Sequence, residues 1–366
     1  MTKHIILAAG GTGGHLFPAE ALAEELLKQK FQVSLFTDAR FSGYEAAGMK
    51  GMLAEIPVFS VRAGTLGKSL RSRINGFLNM GLGILQARKL LKKMQPAVVV
   101  GFGGYPSFPT VFAASLLGIP TIIHEQNAIL GKANRVLASR VTNIATSIRD
   151  TGLMRPENIN KCKLVGNPVR SAIRALHDVP YPQLTQDGVM RVLVTGGSQG
   201  AHIFSDVVPQ SIALLPENLR QRLRIDQQAR VEDMEKTRKY YKDIGVNADL
   251  SPFFNDVPAR LASAHLVIAR SGASTIAELT CAGRPTILVP LPNSADDHQT
   301  ANAMAVEDAG GGWVMPQDGF TPEALAARLE AFLTLPESLE RAAENIRSLG
   351  KPQAAVNLAQ LVKTSF

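Results

Sequence analysis

The feature that most constrains the fold is a pattern that occurs twice: an apolar run, a glycine-rich turn and a helix-like stretch. Near the N-terminus it reads "LAAGGTGGH", Leu7 to His15, and in the second half it reads "LVTGGSQGAH", Leu193 to His202. Strand-like runs alternate with helix-like runs along most of the remaining chain. This alternation predicts stacked βαβ units around parallel sheets, and hence an α/β fold.

The length and one proline-containing motif predict how the chain divides. A chain of 366 residues is too long for one ordinary core. The Asn-Pro step of "GNPVR", Gly166 to Arg170, breaks regular structure between the two similar halves. We therefore predict an N-terminal domain over 1–166 and a C-terminal domain over 167–345. A C-terminal helix within 346–366 can pack back on the first domain.

The composition describes a soluble globular chain, with 45% hydrophobic and 19% charged residues. No apolar run reaches the roughly 18 residues of a membrane span, and the N-terminus has no signal-peptide pattern. We therefore expect the protein to stay in the cytoplasm. The two cysteines, Cys162 and Cys281, have no CxxC spacing, which argues against a disulfide framework and against a zinc site.

The positive charge is confined to the first half of the chain. Residues 1–166 contain 20 Lys and Arg against nine Asp and Glu, whereas residues 167–366 contain 19 against 22. A basic surplus fits an anionic membrane surface, an acidic substrate or nucleic acid. Nucleic acid ranks last, because the chain shows no nucleic-acid-binding motif and has few aromatic residues for base stacking.

The glycine-rich turns predict sites for phosphate or sugar. Glycine lets a ligand approach the backbone, and the N-terminus of the following helix offers unpaired N–H groups. The turns are "GGTGGH", "GFGGYPS" (Gly101 to Ser107) and "GGSQG" (Gly196 to Gly200). A tight turn without a ligand is the alternative, and the four glycines within six residues of "GGTGGH" make it less favoured.

Several known motifs fail at one position. The dinucleotide fingerprint needs glycine where Leu16 stands, and the P-loop needs glycine where Arg62 stands. The zinc motif HExxH needs histidine where Ala128 stands. "GGSQG" does match GxSxG, so a serine hydrolase with Ser198 as nucleophile is an alternative function, with Asp256 and His298 as its partners. A sugar-nucleotide-binding protein without catalysis is a second alternative.

Seven motifs between residues 10 and 302, taken in order, resemble the MurG family of bacterial glycosyltransferases. They are "GGTGGH", "GGYPS", "HEQN", "GNPVR", "GGSQGA", "SGASTIAE" and "DDHQTAN". The resemblance covers almost the whole chain and implies the GT-B architecture, in which two Rossmann-like domains with parallel sheets face each other across a cleft. It places the donor in the C-terminal domain, and the acceptor and the inner membrane at the N-terminal domain.

The activity implied by the resemblance is an inverting hexosyl transfer that needs no metal and no cofactor. N-acetylglucosamine (GlcNAc) would move from UDP-GlcNAc to the 4-hydroxyl of MurNAc in lipid I, which is undecaprenyl-diphosphate-MurNAc-pentapeptide. The product would be lipid II for peptidoglycan synthesis, which serves cell shape and cell division.

The resemblance also implies substrate-binding roles, residue by residue. In the first domain, the residues that it places on the donor side of the cleft are Thr12, Gly13, Gly14 and Asn127. In the second it places around the donor Arg170 and Ser198 (diphosphate), Phe254 (uracil), Ala273, Ser274 and Thr275 (nucleotide), Glu278 (ribose diol) and Gln299 (sugar). His298 stands where relatives often carry a second glutamine, so a sugar contact from that position stays open.

The transfer requires a base for the acceptor hydroxyl. His15 is the first candidate, because an imidazole titrates near neutral pH and this one lies beside the glycine turn. Binding of acceptor phosphate and capping of the helix are alternative roles for His15. Glu125 is the alternative base.

A stretch from Leu66 to Lys93 mixes apolar residues with seven Lys and Arg. Such a stretch can rest on an anionic leaflet, which predicts a peripheral protein on the cytoplasmic side of the inner membrane. Gly76, Gly81 and Gly83 argue against one continuous helix there. A buried helix with a charged outer face is the alternative. Cell-wall synthesis proteins are possible further partners.

Overall fold

The computed structural model describes residues 2–10, 13–39, 52–64, 69–197 and 200–366. The chain divides into two compact units. The first comprises Met1–Arg170 together with Lys351–Phe366, and the second comprises Ser171–Gly350.

The first unit is built on a parallel sheet with the strand order β3-β2-β1-β4-β5-β6-β7. The strands are β1 (His4–Ala8), β2 (Gln32–Thr37), β3 (Val58–Ser60), β4 (Val98–Gly101), β5 (Thr121–Glu125), β6 (Asn143–Thr146) and β7 (Cys162–Leu164). Among the residues that the structure describes, the α-helices before the chain leaves this unit are α1 (Gly13–Lys28), α2 (Leu70–Met94), α3 (Gly104–Leu116) and α4 (Lys132–Leu137).

Both faces of this sheet are buried, as the apolar sequence of its strands predicts. Along β1, Ile5 and Leu7 lie in one hydrophobic cluster, whereas Ile6 and Ala8 lie in another. Successive side chains of a strand point to opposite faces, so helices must cover both sides of the sheet.

The second unit contains a parallel sheet with the strand order β10-β9-β8-β11-β12-β13. The strands are β8 (Met190–Thr195), β9 (Leu223–Gln228), β10 (Asn247–Ser251), β11 (Leu266–Ala269), β12 (Thr286–Leu288) and β13 (Gly312–Val314). The helices are α5 (Ser171–Arg174), α6 (His202–Ala213), α7 (Glu217–Arg220), α8 (Met234–Asp243), α9 (Val257–Ser263), α10 (Ala273–Ala282), α11 (His298–Asp308), α12 (Pro322–Thr334) and α13 (Glu337–Ser348). The predicted α/β fold with two parallel sheets is confirmed.

The strand order reverses direction once in each sheet, between β1 and β4 and between β8 and β11. Open α/β sheets bind ligands outside the carboxyl ends of their strands at such a point. The topology therefore predicts a ligand site at the carboxyl edge of each sheet, beside the point where the strand order reverses.

Helix α2 is continuous over Leu70–Met94, so the expectation that its glycines interrupt it is wrong. Close packing explains why residue 83 is glycine, because a Cβ there would lie 1.9 Å from the Arg62 carbonyl oxygen. The helix is fixed to the same segment by Gln86, whose Nε2 donates to the Ser60 carbonyl oxygen at 2.7 Å. Close packing of this segment offsets the low helix propensity of glycine. Within the described residues, no helix is long and apolar enough to cross a membrane.

The last helix, α14 (Ala354–Lys363), belongs to the first unit. Its Leu358 and Val362 lie in the hydrophobic cluster that also holds side chains of α1. At its start the backbone of Gly166 (φ +89°) packs so closely that a Cβ would lie 2.9 Å from the Cβ of Ala354. The C-terminus of the chain thus completes the core of the unit that the N-terminus begins.

Replacing Leu358 by Ala tests this contribution. Leu358 is fully buried, so we expect the free energy of unfolding of the first unit to fall by about 3 kcal/mol. Urea titration followed by circular dichroism measures the change. Gln360→Ala, on the exposed face of the same helix, is the control and should change stability by less than about 0.5 kcal/mol. Equal losses in the two variants would contradict this packing.

Candidate active site

The polar motifs of the first unit meet at the carboxyl edge of its sheet. His15 lies in the first turn of α1, which follows β1, and Glu125 is the last residue of β5. Strand β4 lies between β1 and β5, and its glycine turn leads into α3. Distant parts of the sequence therefore converge beside the point where the strand order reverses.

The His15 imidazole lies against two glycines that follow β4. Gly103 and Gly104 have φ values of +83° and +70°, which L side chains rarely adopt. A Cβ on Gly104 would lie 3.2 Å from His15 Cδ2 and Nε2, and one on Gly103 would lie 3.5 Å from both His15 Cε1 and Asn134 Nδ2. The "GFGG" turn thus lies against both His15 and Asn134 at one glycine.

Four N–H donors surround the buried carboxylate of Glu125. Its Oε1 accepts from the main-chain N and the side-chain Nδ2 of Asn127, both at 3.1 Å. Its Oε2 accepts from Gly131 N at 2.9 Å and from Asn134 Nδ2 at 2.8 Å. A buried carboxylate requires such compensation, and here it orients both asparagines at the end of β5.

His124 is a buried neutral histidine behind this edge. Its pKa is lowered to about 4, mainly by burial; the hydrogen bond to Gly166 raises the pKa, and the nearby His15 lowers it. Nε2 donates to the Gly166 carbonyl oxygen at 2.9 Å, because a carbonyl can only accept, and Nδ1 accepts from Gln126 Nε2 at 3.1 Å. The ring therefore fixes β5 to the segment through which the chain leaves the first unit.

Arg170, the last residue before the chain enters the second unit, lies at the same edge. Its guanidinium carbon is 4.2 Å from the centre of the Phe17 ring, in a cation–π arrangement. Phe17 follows His15 on α1 by two residues. Gly13 is buried at the start of this helix and Gly14 follows it, whereas Thr12 lies outside the described residues.

In the second unit, a glycine turn joins β8 to α6. Gly197 and Gly200 have φ values of +76° and +64°. A Cβ on Gly196 would lie 2.4 Å from the main-chain N of Ala201. A side chain at Gly196 would clash with the backbone, and one at Gly197 or Gly200 would strain it. The turn leads to a helix N-terminus suited to an anion. Ser198, within the turn, lies outside the described residues.

A second helix N-terminus, that of α10, follows β11, the strand that neighbours β8 across the point where the strand order reverses. Residues 273–275 form the first turn of α10, and Glu278 follows on the same helix with its side chain half-buried. Gln299 on α11 adjoins this turn, because the Ser271 hydroxyl donates to its main-chain oxygen at 2.8 Å. Gln299 Oε1 accepts from Leu291 N at 3.0 Å, so its Nε2 is the group it can offer to a ligand.

The opposite end of α10 is held by Arg284, which is fully buried. Its Nη1 donates to the Ala282 carbonyl oxygen at 2.7 Å, and its Nε donates to the Leu261 carbonyl oxygen at 2.6 Å. A guanidinium at the carbonyl ends of α9 and α10 satisfies acceptors that the helices leave open. Burial lowers its pKa to about 10.

Phe254 is buried after β10 and lies under a charge cluster. The Arg260 guanidinium carbon is 3.9 Å from the centre of its ring. Arg260 also contacts the carboxylates of Asp226, Asp249 and Asp256 at 2.8, 2.7 and 2.8 Å. This cluster fixes one face of the Phe254 ring.

The structure adds residues that the sequence motifs did not indicate. Asn134, Arg260 and Gln228 each contact a candidate site residue or a site loop, yet none belongs to a glycine-rich motif. Gln228 offered one signal, because two glutamines at the end of a strand are polar groups placed at the carboxyl edge of the sheet. Within the described ranges, no three His, Cys, Asp or Glu side chains form a group that could hold a metal ion.

The buried His124 predicts a pH dependence of stability. In the unfolded chain it takes up a proton near pH 6.5, whereas in the fold it does so near pH 4. The unfolded state therefore binds more protons in between, and the contribution to stability is complete above pH 6.5 and is lost as pH falls toward 4. By pH 4 the loss reaches about 3 kcal/mol.

The variant His124→Gln removes this titration. We expect its free energy of unfolding, from urea titrations at several pH values, to fall less steeply below pH 6.5 than that of the wild type. Parallel curves would contradict a buried neutral His124.

Comparison with known proteins identifies the family. The N-terminal domain model of glycosyltransferase family 28 matches residues 5–146, and its C-terminal domain model matches residues 191–358. The chain is 54% identical over 360 residues to a protein of Rhodospirillum centenum, covering 98% of this chain and 93% of that one. A protein of Paramagnetospirillum magneticum is 53% identical over 359 residues, covering 98% and 95%.

Both relatives are named UDP-N-acetylglucosamine--N-acetylmuramyl-(pentapeptide) pyrophosphoryl-undecaprenol N-acetylglucosamine transferase. The crystal structure of MurG from Acinetobacter baumannii is similar to this chain with a TM-score of 0.77 and 28% identity, covering 99% of each chain. With two doubly wound units and this identity along its whole length, the chain belongs to the MurG family within glycosyltransferase family 28.

Proposed function

We propose that this chain transfers GlcNAc from UDP-GlcNAc to the 4-hydroxyl of MurNAc in lipid I, giving lipid II for peptidoglycan synthesis. The observation that carries the proposal is 54% identity, over 98% of the chain, to a transferase named for this donor and acceptor. Two alternatives considered from the sequence, a serine hydrolase and a binding protein without catalysis, are not supported by these relatives.

The first unit supplies the residues that we assign to the acceptor hydroxyl. That oxygen attacks the anomeric carbon from the face opposite UDP, the bond to UDP breaks with its electron pair on the leaving diphosphate, and the configuration inverts. The hydroxyl proton must pass to a base. We assign this role to His15, whose half-buried imidazole lies at the sheet edge against the glycine turn after β4.

Glu125 is the alternative base, and its geometry favours a supporting role. Both of its oxygens already accept two hydrogen bonds each from N–H donors. We assign it the positioning of Asn127, which reaches the same sheet edge.

The second unit supplies the residues that we assign to the donor. The N-termini of α6 and α10, which follow the strands on the two sides of the point where the strand order reverses, present main-chain N–H groups. Such donors stabilise a departing diphosphate. We assign the ribose to Glu278, the sugar to Gln299, the uracil to Phe254 and a further diphosphate contact to Ser198. Arg170, the last residue of the first unit before the chain enters the second, is assigned a diphosphate contact as well.

Replacing His15 by Ala tests the assignment of the base. We expect kcat to fall by about 100-fold or more, since a general base contributes 10²–10⁴-fold, while the Kd for UDP-GlcNAc changes little. Turnover is measured with a lipid I analogue, and donor affinity by calorimetry.

His4→Ala is the matched control for this experiment. His4 lies at the opposite end of β1, where its Nε2 is 2.9 Å from Ser34 Oγ. We expect wild-type kcat from this variant. Wild-type kcat in His15→Ala would exclude His15 as the base and leave Glu125, for which Glu125→Gln would then be the decisive variant.

The outer face of α2 supports a second proposal, that this helix rests on the anionic, cytoplasmic face of the inner membrane. Between residues 74 and 85 it exposes large apolar side chains, between 47% and 63% accessible: Ile74, Phe77, Leu78, Leu82 and Leu85. Exposed basic residues flank them, namely Arg73, Arg88, Lys89, Lys92 and Lys93. Lys68 and the side chain of Arg71, also singled out from the sequence, lie outside the described residues.

A triple charge reversal, Arg88→Glu with Lys89→Glu and Lys92→Glu, tests this proposal. Each basic residue near an anionic surface contributes about 1 kcal/mol, so we expect binding to phosphatidylglycerol vesicles to weaken at least about tenfold in co-sedimentation. The control makes the same charge change on exposed residues of α8, namely Arg238, Lys239 and Lys242. If the α2 variant bound the vesicles as well as the wild type, the proposal that α2 contacts the membrane would be contradicted.

A further inference from the structure

Two neighbouring strands of the second unit end in polar residues that form a hydrogen-bonded chain with the main chain just after a third strand. The strands are β10, β9 and β8, which lie side by side in that order. Thr195 is the last residue of β8, and Gln228 is the last residue of β9. The Thr195 hydroxyl donates to Gln228 Oε1 at 2.9 Å, and Gln228 Nε2 donates to the Pro252 carbonyl oxygen, just after β10, at 3.1 Å.

The chain also reaches the glycine turn. The main-chain N–H of Gly197 donates to the Thr195 hydroxyl oxygen at 3.3 Å. The direction of each hydrogen bond is therefore defined. The Thr195 hydroxyl accepts from Gly197 and donates to Gln228, and the Gln228 amide accepts at its oxygen and donates at its nitrogen. Gln228 is only 5% exposed, so water does not compete well for these bonds.

The segment after β10 is held at further points. Ser251 Oγ donates to the Phe253 carbonyl oxygen at 2.7 Å, and the Arg260 guanidinium covers the Phe254 ring. The Gln228 amide is thus the side-chain link between this fixed segment and the turn that precedes α6.

We propose that Thr195 and Gln228 are positioning residues that hold Gly197, and with it the start of the connection from β8 to α6, in register with the segment at 252–254. One nucleoside diphosphate can then engage both that segment and the N-terminus of α6. The inference rests on the proposed function, which places the donor at this edge. Neither residue need touch the donor. Their effect is on the spacing between the N-terminus of α6, to which we assign the diphosphate, and the segment at 252–254, to which we assign the nucleobase.

A ligand that spans both segments should depend on this link more than a ligand that contacts one. We therefore expect Thr195→Val, which keeps the side-chain shape but removes the hydroxyl, to raise the Kd of UDP about tenfold, a typical cost of one lost hydrogen bond. The Kd of uridine should rise less than threefold. KM for UDP-GlcNAc should follow the Kd of UDP, while kcat and the acceptor KM stay within about twofold of wild type.

Three further variants separate positioning from a general loss of stability. Thr195→Ser restores a hydroxyl and should restore the Kd of UDP. Gln228→Met breaks the same link, so combining it with Thr195→Val should weaken UDP binding no more than the stronger single change. Thr286→Val removes a buried, hydrogen-bonded hydroxyl at the opposite edge of the same sheet, where it donates to the Val267 carbonyl oxygen at 2.9 Å, and should leave UDP binding unchanged.

Calorimetry with UDP and with uridine, on the full chain, distinguishes the outcomes. UDP affinities of Thr195→Val and Gln228→Met within twofold of wild type would overturn the inference and leave the proposed function intact. Equal weakening in Thr286→Val, or equal weakening of UDP and uridine binding, would also overturn it. A wild-type chain that binds neither UDP nor UDP-GlcNAc would instead overturn the proposed function, and the inference with it.

Discussion

Parallel strand pairing is the constraint on which the rest of the structure depends. Because the paired strands of each described sheet run in one direction, all their carboxyl ends lie at one edge. Their connections must return across the faces as helices, which bury both faces in apolar contacts. Polar side chains that must meet a ligand therefore collect at that edge, which is where His15, Glu125, Thr195 and Gln228 lie.

The two units use this edge for different chemistry. In the first, buried polar side chains carry the architecture: Glu125 orients two asparagines, and neutral His124 fixes the segment that leaves the unit. In the second, main-chain N–H groups at helix N-termini predominate, preceded by glycines with positive φ after β8. Oriented N–H groups suit a diphosphate, whereas a titratable imidazole suits proton transfer. The division agrees with a donor held by one unit and an acceptor activated by the other.

The sequence predicted the fold class and the turns well, for a local reason. Apolar strands such as "HIILA" and glycine turns such as "GFGG" encode their structure within a few residues. The continuity of α2 was mispredicted, because Gly83 is stabilised in the helix by a segment some 20 residues earlier. The contacts of Arg260 and Gln228 could not be predicted, because their partners lie in or just after strands that only the folded sheet places side by side. The contact of Asn134 depends on how α4 folds back onto the end of β5.

By itself, the sequence determined the two parallel sheets, the glycine turns at their edges and, through its motifs, the family. These depend on the periodicity of apolar residues and on the conformational freedom of glycine, both of which are properties of short segments. Only the tertiary structure decided that the last helix completes the first core, that His124 is neutral and that Thr195, Gln228 and Pro252 form one hydrogen-bonded chain. Burial and directed hydrogen bonds depend on which distant segments meet, and that is fixed only when both faces of each sheet are covered.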